Sequence, residues 1–126
     1  MRLLLVGLGG FTGAVLRYLV AGWTQQATRS VSFPYGTLAV NVLGCILIGG
    51  LSYLADSRGM FSAETRLFVF VGLLGGFTTF STFGNETLNL FRDGQALLAG
   101  ANIVGNVILC LAGVWAGRAG AFAIWR

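Results

Sequence analysis

Apolar residues fall into four long runs, Leu3–Trp23, Gly36–Ala55, Leu67–Phe91 and Gln95–Gly117, separated by short polar connectors. A helix needs about 20 such residues to cross a hydrocarbon core about 30 Å thick. Each run therefore predicts a transmembrane helix, and only Arg17 and Glu86 among the charged residues lie within them. The first connector carries Thr24, Gln25, Gln26, Arg29, Ser30 and Pro34; the second, Asp56–Arg66, holds the most charge; the third is little more than Arg92-Asp93-Gly94. Connectors this short leave no room for a domain outside the membrane. We read residues 1–126 as one four-helix transmembrane domain. The leucines after Met1-Arg2 look like a leader at first sight, but the run is too long and contains Arg17, so it is read as the first span.

Composition agrees. The 126 residues are 56% hydrophobic and 10% charged, against roughly 25% charged in a soluble domain. All eight bases are arginines and there is no histidine, which removes histidine-based acid–base or metal chemistry. The four carboxylates (Asp56, Glu64, Glu86, Asp93) are too few for a hydrolase or a divalent metal cage, so an enzyme is not expected. The arginines are scattered singly, which fits anchoring at the lipid surface and not a nucleic-acid partner. Cys45 and Cys110 sit inside apolar runs and read as small core residues. With four spans, the termini share a side with the second connector, giving Arg2, Arg58, Arg66, Arg118 and Arg126 against Arg29 and Arg92 opposite. That bias is weak, and such a chain is able to insert both ways.

Small residues mark close helix contacts: Gly9/Gly13, Gly72/Gly76 and Gly113/Gly117 each have the spacing that brings backbones together. About half of these contacts are expected within a subunit and the rest between two copies. Polar residues at depth mark the chemistry. Gly75-Gly76 followed by Thr78-Thr79 reads either as a flexible kink or as a true break that frees carbonyl oxygens for a monovalent cation. Helical spacing puts Thr79, Thr82 and Glu86 on one face, with Phe80 and Phe83 on the adjoining one. Asn41, Asn102 and Asn106 offer amides that either glue helices together or donate to an anion, and Arg17 is the one base inside a span. Donors outnumber carboxylates, which favours a small, strongly hydrated anion as cargo.

The segments GGFTGAVLRY (Gly9–Tyr18), GTLAVNVLG (Gly36–Gly44) and GLLGGFTTFSTFGNE (Gly72–Glu86) resemble the Fluc family of small fluoride channels, also called CrcB. The resemblance spans essentially the whole chain. It implies an antiparallel, dual-topology homodimer of four-helix subunits with a broken third helix, set in the plasma membrane of a prokaryote. Such a dimer exports toxic cytoplasmic fluoride passively through two narrow pores. The resemblance also implies one structural sodium ion (Na+) at the dimer centre, held by the backbone carbonyls of Gly75 and Thr78. Phe80, Phe83 and Asn41 match the pore-lining positions; Ser81, Thr82 and Thr79 match the hydroxyl track, and Glu86 its acidic end. Arg17 matches a first-helix arginine near the aqueous vestibule. Gly84, Asn102 and Asn106 depart from the family pattern, which often has serine there; the two asparagines keep donors that fluoride could use in the pore. Two other readings use the same residues: a proton-coupled exporter of cationic drugs with Glu86 as its exchange site, and a non-transporting subunit of a larger complex.

Overall fold

The computed structural model describes residues 1–126 and contains helices joined by short connectors, with no strand. Helix α1 (Arg2–Thr28) and helix α2 (Tyr35–Arg58) form the first two spans. The third runs from Ala63 to Arg92 in pieces: α3 (Ala63–Arg66), a π-helical segment (Leu67–Leu74), α4 (Gly75–Phe77) and α5 (Phe80–Arg92). Helix α6 (Ala96–Trp125) is the fourth. All four spans are long and apolar enough to cross a membrane.

The helices overrun the apolar runs at most ends. The largest difference is in α6, which continues eight residues beyond the predicted Gly117 to Trp125. At 1.5 Å per residue, 30 helical residues extend about 45 Å, past the hydrocarbon and into the headgroup region. Arg118 reaches Asp56 at the end of α2, but at 3.9 Å and with both side chains more than half exposed this pair adds little stability. The α1–α2 connector is tied more firmly. The Gln25 amide donates to the carbonyls of Ser30 (2.6 Å) and Phe33 (3.0 Å), and its oxygen accepts from the Gly36 N–H (3.0 Å).

Two close helix contacts organise the bundle. Helix α1 lies against the π segment and α4, while α2 lies against α6. In the first contact a methyl on Gly13 would overlap the Leu73 carbonyl oxygen, and one on Gly76 would sit about 2.6 Å from that of Gly10. In the second, a methyl on Gly117 would overlap the Ile46 carbonyl oxygen, and one on Gly49 that of Val114. The structure thus corrects the expectation that some small-residue pairs serve the contact between copies. Gly9, Gly13, Gly72 and Gly76 all lie in the α1–third-span contact, and Gly113 and Gly117 in the α2–α6 contact. With apolar lipid outside, packing and not water exclusion drives such association, so the closest backbone approach wins.

Candidate functional site

The third span breaks at Thr78 and Thr79, whose backbones are extended (φ −89°, ψ 158° and φ −151°, ψ 119°). Gly75 and Gly76 themselves stay helical, so the interruption falls just beyond the glycine pair. In an unbroken helix the Thr79 N–H would bond the Gly75 carbonyl. It donates instead to Asn41 Oδ1 of α2 at 2.8 Å, while Asn41 Nδ2 donates to the Thr79 carbonyl at 3.0 Å. One buried amide therefore replaces the helix's own bonding on both sides of Thr79 and releases Gly75 oxygen. Gly75 lies exposed on the surface of the chain, and Thr78 is half-buried.

Thr79 restarts the helix as the N-cap of α5. Its Oγ1 accepts from the Thr82 N–H (3.2 Å) and donates to Thr82 Oγ1 (3.0 Å), with Ser81 Oγ 3.3 Å away. A hydroxyl has one proton, so with Thr79 donating to Thr82 it is Ser81 that donates to Thr79. The Thr82 hydroxyl proton is then left without a protein acceptor. The face predicted from helical spacing needs correcting on this point: Thr79 precedes the helix and joins Thr82 as a cap, not as a member of one stripe.

Phe80 and Phe83 pair with ring centroids 5.2 Å apart, tilted at 55°. Phe83 is buried, whereas Phe80 is 82% exposed and projects from the chain. Both border a cavity of about 500 Å³ with Asn41, Thr78, Thr79 and Asn106. Glu86 belongs elsewhere. Its Oε1 accepts from the Thr37 hydroxyl at 2.7 Å, its Oε2 is buried without a partner, and it lines a separate cavity of about 390 Å³ together with Gln25, Asn89 and Asp93. Arg17 is half-buried on α1 and borders neither cavity.

The fourth-span asparagines point inward. Asn102 is fully buried and Asn106 nearly so, and both N–H groups of Asn106 are engaged, one with the Asn102 carbonyl and one with Asn102 Oδ1 (each 3.0 Å). Asn41 is likewise saturated, because its second N–H donates to Asn106 Oδ1 at 3.0 Å. The amide nitrogens of Asn41 and Asn106 are thus both bonded to acceptors within the fold. Sequence reasoning missed Thr37 and Thr87. Thr37 stands one helical turn before Asn41, and Thr87 one turn after Phe83, so the signal was a hydroxyl at i±4 from a residue already singled out.

A family model described as CrcB-like protein, Camphor Resistance (CrcB), matches residues 4–118. The chain belongs to the CrcB family. A protein of Elusimicrobium minutum named fluoride-specific ion channel FluC is 55% identical over 115 residues, covering 90% of this chain and 87% of that one. One of Rhodospirillum rubrum with the same name is 44% identical and covers 98% and 97%. FluC 3 of Methanosarcina barkeri, named a fluoride-specific ion channel, is 42% identical and covers 97% and 91%. With four apolar helices and bacterial and archaeal relatives, this CrcB chain is a multi-pass membrane protein of a prokaryote.

Proposed function

We propose that the chain is a fluoride-selective channel that lets cytoplasmic fluoride leave by passive permeation, working as an antiparallel homodimer inserted in both orientations. The observation that carries this reading is the third-span break, where Thr79, bonded to the Ser81 and Thr82 hydroxyls, borders one cavity together with the Phe80–Phe83 pair. The likeness to proteins named fluoride-specific channels supports it.

Fluoride is small and holds water tightly, so its path must return hydrogen bonds at short range. The uncommitted Thr82 proton and the positive edges of the phenylalanine rings supply such contacts without a fixed charge that would trap the ion. Asn41 serves the same wall by holding Thr79 in place. Glu86 and Thr37 form a polar mouth at a separate cavity. Sodium would have a structural role, held by the carbonyls of Gly75 and Thr78. The donor set fits, because a hard monovalent cation takes oxygen ligands and the Asn41–Thr79 bond has already released the Gly75 oxygen.

Purified protein in liposomes should pass fluoride and exclude chloride when a potassium ionophore balances charge and no proton gradient is imposed. Efflux that requires an imposed proton gradient, and stops in Glu86→Gln, would transfer the assignment to a proton-coupled exporter.

A further inference from the structure

We propose that Asn102 and Asn106 are positioning residues: they lock the Asn41 amide, and through it the third-span break, without touching the permeating ion. This rests on the channel reading for its flux arm and on geometry alone for the rest.

Backbone groups fix the orientation of Asn41. The Thr79 carbonyl can only accept and the Thr79 N–H can only donate, so Nδ2 faces one and Oδ1 the other. The second proton on Nδ2 then needs an acceptor, and Asn106 Oδ1 provides it at 3.0 Å. That turns Asn106 Nδ2 onto the carbonyl and Oδ1 of Asn102. Asn102 Nδ2 in turn donates to Thr87 Oγ1 at 2.9 Å, and the Thr87 hydroxyl donates to the Phe83 carbonyl at 2.8 Å.

The relay starts on the backbone of Thr79 and ends on the backbone of Phe83, bracketing the segment that carries Phe80. Every amide in it is both donor and acceptor, and each orientation forces the next. Asn41, Thr87, Asn102 and Asn106 are all buried, so each draws its partners from its neighbours in the relay. Position 106 therefore needs an acceptor towards α2 and donors towards Asn102 at the same time, which among side chains of this size is a carboxamide. Removing it leaves an Asn41 N–H orphaned in a buried site, a change that costs more than the bond itself contributed.

Two measurements on the purified full-length protein test the proposal. Hydrogen exchange without fluoride, read on peptides spanning Thr79, should speed up about tenfold or more in Asn106→Ala, while α1 peptides keep their protection. Fluoride efflux should fall by about the same factor, and Asn102→Ala/Asn106→Ala should be no slower than the slower single variant, because the two act in series. Should Asn106→Ala not fold, Asn106→Leu, which keeps the side-chain volume and has no hydrogen-bonding atom, takes its place in both arms. If efflux falls while Thr79 exchange is unchanged, or if the two losses multiply, Asn106 acts on the ion directly and the proposal is wrong. Unchanged exchange and unchanged efflux overturn it too. A wild-type protein that passes no fluoride overturns the channel reading instead, and the exchange arm still decides whether the relay holds the break.

Discussion

At the scale of single residues, the third span shows how a few side chains convert a lipid-facing helix into a polar wall. Thr82 is the sharpest case, because its N–H and its oxygen are both engaged with Thr79 while its proton is free. Thr82→Val keeps the shape and the backbone bond to Thr79 and deletes the hydroxyl, that is, the free proton together with the oxygen that accepts from Thr79. A hydrogen bond to a charged partner contributes about 1.5–3 kcal/mol, so fluoride efflux should fall roughly tenfold or more while the elution of the purified protein stays the same. Efflux at the wild-type rate would remove Thr82 from the path. The hydroxyls, the phenylalanines and Asn41 were legible in the sequence as polar or paired groups at depth. Their bonding was not. Whether Asn41 glues helices or binds an anion depends on which atoms lie opposite, and those come from Thr79 and Asn106, 38 and 65 positions away.

Elements are positioned by where backbones touch. The four spans were readable because hydrocarbon thickness sets their length, and the break was narrowed to a few residues because glycine and threonine are poor at holding a membrane helix together. The pairing of spans was less readable: small-residue spacing identifies a contact surface but not its partner. Gly13 decides one such pairing. A methyl there would enter the Leu73 carbonyl, whereas a methyl on Gly7 of the same helix would meet nothing within 4 Å. Gly13→Ala should therefore push α1 off the third span, with an overpacking cost of about 1–3 kcal/mol, and Gly7→Ala should be neutral or slightly stabilising. Thermal unfolding in detergent, followed by the loss of the folded elution peak, separates the two. Equal midpoints would mean that α1 packs by some other face. The same geometry explains why Thr78 is where the helix opens: α4 is held against α1 through Gly76, and α5 is held against α6, so the chain must change direction between them.

For the molecule as a whole, the decisive fact is what one copy leaves unfinished. The third span carries a released Gly75 oxygen, exposed Ser81 and Thr82, and Phe80 at 82% exposure, all towards the middle of a membrane-length helix. Unpaired backbone at that depth is tolerated only where protein or a water-filled cavity covers it. A single copy in lipid would leave these groups against acyl chains, so the proposed second copy is the economical cover. An antiparallel pair requires each chain to insert both ways, and the thin spread of arginines over both sides permits it. The expectation is specific enough to count. Gly94, in the connector between α5 and α6, is exposed and far from either cysteine in sequence. In a chain with Cys45→Ala and Cys110→Ala, Gly94→Cys should react with a membrane-impermeant maleimide in intact cells to about half its total. The remaining half should react only after the membrane is opened. Labelling that is complete from outside, or absent until the cells are lysed, would give the chain one fixed orientation, and the pair would then have to be parallel.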